Sequence, residues 1–200
     1  QTTTRGLERG GFDVVDPVVA GTAAVLPAVQ IDEPSGLETQ ADFDDTVPVL
    51  RVLSPTGGAL QLAFRASDGS VIESEGRLEA GVVTDFPLGD LPVGTYAIRV
   101  SSDAPVVAGA RAVATSADGL DFDWIASGEP RSGASAIAVP EGPEATLHIA
   151  STAEAEQRVT IDGEEVVLAA GGTIERAVDA GSVEVVGEGL VIGVGYRSDG

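Results

Sequence analysis

The chain has 200 residues, no Cys or Met, and a formal net charge of −21 at pH 7, and all of its 11 basic residues are Arg. The lack of thiols excludes disulfide bonds, a cysteine nucleophile and a cysteine-ligated zinc site. The negative charge argues against nucleic acids and anionic lipid surfaces as partners, because both carry negative phosphates.

The first segment, residues 1–41, contains one predicted strand, which carries the sequence Pro17-Val18-Val19-Ala20-Gly21. These five residues recur as Pro105-Val106-Val107-Ala108-Gly109, 88 residues later, and residues 191–197 are a degenerate third copy 86 residues further on. A sequence that recurs at one spacing indicates tandem modules. By this alignment the first copy is the end of a module, so either the chain begins inside an upstream module or this strand completes the sheet of a later one. We favour the second, since an unpaired edge strand attracts other chains.

Two further segments, residues 42–127 and 128–200, each contain seven short predicted strands that alternate with turns. The first seven are 47–53, 60–66, 71–74, 82–86, 96–101, 106–114 and 122–125, and the second seven are 135–139, 146–150, 158–161, 165–168, 173–178, 182–186 and 190–196. Many short strands at regular spacing are typical of antiparallel sandwiches. The sequence therefore predicts an all-β fold of two tandem, immunoglobulin-like β-sandwich modules, with the N-terminal strand completing one of them.

Catalytic chemistry has few candidates in this chain. The one His is His148, in a predicted strand, and a triad with Ser151 and an Asp is the arrangement in which it would act. No Gly-x-Ser-x-Gly motif is present. With one Trp, two Tyr and five Phe, the chain is also poor in the rings that line sugar-cleaving clefts. We therefore predict that the protein is not an enzyme.

Two groups of acids are candidate calcium ligands, because calcium binds several carboxylate and carbonyl oxygens in turn-rich loops. The groups are Asp42, Asp44 and Asp45, and Asp121 and Asp123. Neither fits the spacing of the twelve-residue calcium loop, and acids exposed to solvent are the alternative interpretation. We predict no other metal and no organic cofactor.

Trp124, which follows Asp123, is the candidate ligand-binding residue. A large ring beside acids is able to serve as a platform for a ligand. The alternative is that it fills the core beneath a corner of the sandwich.

Three stretches of sequence resemble an uncharacterised family. They are Leu91-Pro92-Val93-Gly94-Thr95-Tyr96-Ala97-Ile98-Arg99-Val100, Asp103-Ala104-Pro105-Val106-Val107-Ala108-Gly109-Ala110-Arg111 and Asp121-Phe122-Asp123-Trp124. The family is an actinobacterial domain of unknown function in secreted or membrane-anchored envelope proteins, and the similarity covers most of residues 40–200. The resemblance implies an extracytoplasmic location, as the ectodomain of a protein with a single anchor. It carries over no functional residue, because the shared motifs are those of strands and turns.

Together these observations predict a non-catalytic structural or protein-interaction ectodomain of the bacterial cell envelope. The alternative is a module that binds carbohydrate or an envelope polymer, with calcium as a possible aid. No run of about 20 apolar residues is present, and the first residues lack the apolar stretch of a signal peptide. Because the chain starts with Gln, we expect any anchor to lie outside it. The partner is therefore an envelope protein or polymer that the sequence does not identify.

Overall fold

The computed structural model describes residues 18–33, 47–116 and 119–197, and for 114–116, 119–121 and 197 only the backbone. Thirteen strands are found in these residues: β1 (Gly21–Ile31), β2 (Val49–Leu53), β3 (Gly58–Ala66), β4 (Val71–Leu78), β5 (Val83–Pro87), β6 (Gly94–Ser116), β7 (Gly119–Ala126), β8 (Arg131–Val139), β9 (Glu144–Ser151), β10 (Gln157–Ile161), β11 (Glu164–Leu168), β12 (Thr173–Val178) and β13 (Gly181–Arg197). The described part of the chain has no helix, so the prediction of an all-β fold is confirmed.

The strands form two sheets with the same topology. The first has the order β4-β3-β6-β2-β5, with β1 and β7 also paired to β6, and the second has the order β11-β10-β13-β9-β12, with β8 paired to β13. Each strand number in the second sheet is seven higher than the number of its counterpart in the first sheet, so β1 corresponds to β8. We call β1–β6 the first module and β8–β13 the second module. Strand β7 lies between them in the chain and extends the first sheet.

Each module is one curled sheet, a half-barrel, and the prediction of immunoglobulin-like sandwiches is wrong. The reason lies in the long strands β6 and β13. Residues 96–102 of β6 pair with β3, and residues 107–111 of the same strand pair with β2. A sandwich keeps such neighbours in two sheets that share no hydrogen bonds. Here one strand connects them, so the sheet curls around its core.

Strand β1 is part of the first sheet and contacts both halves of β6. Ala24 lies opposite Val100 and Leu26 opposite Ile98, so the strands are antiparallel there, whereas Gly21 and Ile31 pair with the second half of β6 in the parallel sense. Leu26 pairs with Ile98 and Val29 pairs with Tyr96, so two residues of β1, Pro27 and Ala28, oppose one residue of β6, Ala97. This is a β-bulge.

The core of each half-barrel is built by alternate residues of its strands, since successive side chains of a strand point to opposite faces. Leu50 and Val52 of β2 are fully buried in the first core. Leu147 and Ile149 of β9 are fully buried in the second. The residues between them, such as Arg51, therefore point to the outer face of the sheet.

The two modules meet where β1 covers the outer face of the second module. Val25 of β1 and Ala97 of β6 form one buried cluster with Ala150 of β9 and Val191 of β13. Ala150 and Val191 are paired across β9 and β13 and lie on the outer face, yet they are only 2% and 1% exposed. Their burial follows from the cover that β1 provides.

Two glycines allow this close approach. The Cβ that a larger residue would place at Gly193 lies 3.1 Å from Cγ of Pro27. The equivalent atom at Gly128 would lie 2.5 Å from Cγ1 of Val191, which is inside van der Waals contact. The N–H of Gly128 also donates to the carbonyl oxygen of Val25 at 2.9 Å. The chain that enters the second module is therefore fixed against β1.

The first two copies of the recurring pentapeptide have different structures. Val18, Val19 and Ala20 precede β1 and lie outside any strand, whereas Val106 and its neighbours lie within β6. Ala20 is exposed, whereas Ala108, at the same position of the second copy, is 5% exposed. The two copies are therefore not structurally equivalent, and β1 corresponds in topology to β8, the first strand of a module.

We predict that Leu26→Ala lowers the free energy of unfolding by about 2–5 kcal/mol, because it removes a fully buried side chain from the first core. Urea unfolding followed by circular dichroism measures the change. Thr22→Ala, at an exposed position of the same strand, is the matched control. Equal midpoints for both variants would show that β1 is not held in the sheet.

Candidate functional site

A groove of about 320 Å³ lies on the outer face of the first module and is bounded by β2, β5, β6, β7 and the residues before β1. We call it the Trp124 groove. Its walls are almost entirely apolar and include Val18, Leu53, Val83, Val107, Gly109 and Trp124.

The alternation of the strands explains why these side chains point outward. Val52 is in the core, so Arg51 and Leu53 point to the outer face. Ala108 is in the core as well, so Val107 and Gly109 point to the same outer face. Gly109 lies opposite Arg51 in the register, and its missing side chain leaves the floor of the groove open.

Trp124 forms one wall of the groove. The guanidinium carbon of Arg51 lies 5.1 Å from the centre of its ring and that of Arg111 lies 5.9 Å away, both within cation–π distance. Nε of Arg51 donates to both carboxylate oxygens of Asp85, at 3.0 and 3.3 Å. The next residue, Ile125, packs against the core. Trp124 is therefore an outward, half-buried ring, and the alternative that it fills the core does not fit.

The candidate calcium ligands are only partly within the described chain. Asp42, Asp44 and Asp45 lie outside it. Asp121 and Asp123 are in β7, opposite Ala114 and Ala112, and the side chain of Asp121 is not described. No three acidic or histidine side chains come together as a metal site in the residues for which the structure gives positions. Calcium binding stays a prediction.

His148 is buried on the outer face of β9. Its Nδ1 lies 3.8 Å from Oε1 of Glu175 and has no hydrogen-bond partner. Burial lowers the pKa of His148 and raises the pKa of Glu175. Ser151, three residues further along β9, points to the opposite face and accepts a hydrogen bond from Nε2 of Gln157 at 2.8 Å. His148 and Ser151 therefore do not form a catalytic pair.

The surroundings of Arg51 and His148 match in a way that sequence reasoning missed. Each is the outward residue of a central strand, with an acid opposite on one neighbour and a glycine opposite on the other. The two sets are Arg51, Asp85 and Gly109 in the first module and His148, Glu175 and Gly193 in the second. The partners are far apart in sequence, so only the strand pairing brings out the match.

Comparison with known proteins gives a family and a distant structural neighbour. A family of unknown function, DUF5719, matches residues 1–186. No curated protein matches the chain. The crystal structure of Thermotoga maritima 1070 aligns with a TM-score of 0.46 and 13% sequence identity, over 55% of this chain and 95% of that one. Within the described ranges no helix is long and apolar enough to span a membrane.

We predict that protonation of His148 makes stability depend on pH. Burial lowers its pKa from the usual 6.5, so the unfolded chain binds a proton at higher pH than the folded chain does. The free energy of unfolding therefore falls as the pH drops below about 6.5 and levels off below the pKa of the folded protein. Glu175 has the opposite sign, because burial raises its pKa and its contribution is lost as the pH rises.

Urea unfolding at a series of pH values around 6.5, on the Glu175→Gln background, measures this dependence. Adding His148→Gln removes the part of the fall that His148 causes, and the difference between the two curves is the quantity of interest. Parallel curves over the whole range would contradict the prediction.

Proposed function

The chain belongs to DUF5719, a family of unknown function, and we propose that it is a non-catalytic interaction module that binds a partner protein in the Trp124 groove. Membership confirms the prediction of an uncharacterised family. The observation that carries the proposal is the open apolar groove on the outer face of the first module, whose counterpart on the second module is covered by β1.

Exposed apolar side chains adjoin this groove. Val83, in its wall, is 55% exposed, and Val19, next to the groove residue Val18, is 81% exposed. Phe122, two residues before Trp124 and on the same face of β7, is 56% exposed. Single exposed apolar residues are ordinary, but a group of them beside a concave apolar surface is typical of binding sites. Burial of this apolar area contributes about 25 cal/mol per Å² to association, from which the entropy that the two partners lose on binding is subtracted.

The charges at the groove indicate the kind of partner. The protein carries a net charge of −21, yet two of its 11 Arg residues contact the ring of Trp124. The side chain of Arg51 is 43% exposed and is accessible at the rim. A partner with small apolar side chains at its centre and an acid at its edge fits this surface.

We also propose that the protein is an ectodomain of the cell envelope, and that its partner is an envelope protein. The resemblance of residues 91–100, 103–111 and 121–124 to domains of secreted or anchored actinobacterial proteins supports this location. A second observation, the absence of Lys from a chain rich in Ala, Gly and Val, bears on the source organism and not on the location. The second fits the coding bias of organisms with high-GC genomes.

A second candidate function is the binding of carbohydrate or an envelope polymer, with calcium as a possible aid. The outward ring of Trp124 and the exposed ring of Phe122 favour it, because sugars stack on exposed aromatic faces.

We predict that the immobilised protein captures a partner from envelope extracts and that Val83→Glu abolishes the capture, because a partner in the groove would remove water from a carboxylate placed in the apolar wall. Val167→Glu is the matched control, since Val167 is 56% exposed on the second module and lies outside the groove. Quantitative mass spectrometry of the bound proteins measures the result. Equal capture by both variants would contradict the proposal, and capture only from the cytosolic fraction would contradict the location.

The second candidate has a separate test, a thermal-shift series with soluble glycans, calcium and a chelator. A ligand that binds only the folded protein raises the melting temperature, by an amount that grows with ligand concentration. The rise is expected to be lost in Trp124→Ala and kept in Val167→Glu. An unchanged melting temperature at saturating glycan and calcium would remove this candidate.

A further inference from the structure

The repeated topology identifies which surface of the second module corresponds to the Trp124 groove. Leu53 pairs with Val107 in the first module, and Ala150 pairs with Val191 at the equivalent positions of the second. Leu53 and Val107 remain partly exposed in the groove, whereas Ala150 and Val191 are buried. The same outer face is thus open on the first module and covered on the second.

What covers the second module also has a counterpart. The covering residues belong to β1 and the first half of β6, where Val25 lies opposite Arg99. Strand β8 pairs with β13 as β1 pairs with β6, and there Ala134 lies opposite Val186. Arg99 is the sixth residue of β6 and Val186 is the sixth residue of β13, so the two pairs lie at equivalent positions of the two modules. The second module therefore presents, on β8, the face with which the first module docks.

This β8 face is exposed. Ala134, Ala136 and Ala138 point outward, because Ile137 and Val139 pack into the second core, and all three alanines are exposed. Ala136 occupies the position of the bulge that holds Pro27 in β1, since its partner Glu184 corresponds to Ala97. We define the β8 face as Ala134, Ala136, Ala138 and Glu184.

We propose that a second copy of this chain places its β8 face in the Trp124 groove, so that chains associate head to tail in the same way as the two modules dock within one chain. The inference rests on the proposed function and names the partner as the protein itself. In this contact the small outward alanines of the β8 face lie against the apolar walls formed by Leu53 and Val107. Gly109 leaves room at the floor of the groove, just as Gly193 leaves room for Pro27 in the contact within one chain.

Charge supports this choice of occupant. Within one chain the uncharged Ala97 packs with Ala150 of β9, on the face that also carries His148, and burial lowers the pKa of His148, which favours its neutral form. The residues at the corresponding positions of the contact between chains are Glu184 on the β8 face and Arg51 in the groove. Both positions therefore carry charged side chains, and Glu184 shares the guanidinium of Arg51 with Asp85, which already contacts it. Opposite charges at the edge of an apolar contact favour the correct orientation of the two copies.

The geometry of such a contact determines the form of the assembly. The groove and the β8 face are different surfaces on different modules, so the contact is heterologous, and every assembly that does not close into a ring keeps one free groove and one free β8 face at its ends. Each chain also carries a net charge of −21, so copies repel one another at long range. Association is therefore expected to strengthen with salt, because salt screens this repulsion.

Sedimentation velocity of the full chain at about 0.15 M and about 1 M NaCl tests the proposal, since the screening length falls from about 8 Å to about 3 Å between them. Wild-type protein is expected to form species heavier than a monomer, increasingly so at high salt and high protein concentration. Two variants each remove one surface: Val107→Glu in the groove and Ala136→Glu on the β8 face. Each alone is expected to remain monomeric, and Val167→Glu is expected to behave as wild type.

Mixing the two variants gives the decisive result. Val107→Glu keeps its β8 face and Ala136→Glu keeps its groove, so an equimolar mixture forms a single contact and stops at a 1:1 dimer. That outcome also shows that both variants are folded. A wild type that is monomeric at high salt, or a mixture that gives no dimer while circular dichroism shows both variants folded, would overturn head-to-tail association. Neither result bears on capture of another envelope protein, which Val83→Glu tests separately.

Discussion

The pairing of one long strand with two sets of neighbours is the constraint on which the rest of each module depends. Because β6 pairs with β3 along one half and with β2 along the other, its sheet cannot divide into two layers. The sheet curls, one face of every strand encloses the core, and the other face stays outside. The Trp124 groove is a direct result, since it lies on the outer face of the second half of β6. Strand β13 imposes the same arrangement on the second module.

Strand β1 is buried on both of its faces, which is unusual for the first strand of a sheet. Leu26 and Val29 contribute to the core of its own module, and the bulge between them brings both inward. Val25, on the opposite face, belongs to the contact between modules. His148 is buried on the same outer face of β9, and its Nδ1 has no hydrogen-bond partner. Burial lowers the pKa of its imidazole.

The sequence was sufficient to predict most of the strands after residue 47, but it predicted neither the position of β1 nor the form of the sheets. Alternation of apolar and polar residues is the same in a sandwich and in a curled sheet, so the pattern could not separate them. The stretch Asp103-Ala104-Pro105 looked like the end of one strand and the start of another, whereas β6 continues through it. The outward position of Trp124 was hidden because alternation shows that Trp124 and Ile125 face opposite ways, without showing which way is inward. The pairing of Arg51 with Gly109 depends on residues distant in the chain and left no local signal.

The double role of β1 has a consequence for how the molecule comes apart. A strand that completes one core and seals the neighbouring module cannot detach without exposing apolar surface on both. Gly128 adds to this link, because its backbone is bonded to Val25 and its Cα lies against Val191. Two tandem domains joined by a free linker melt as separate units, each with its own transition. Here both half-barrels would lose the contacts of the same strand, so we expect them to unfold as one cooperative unit.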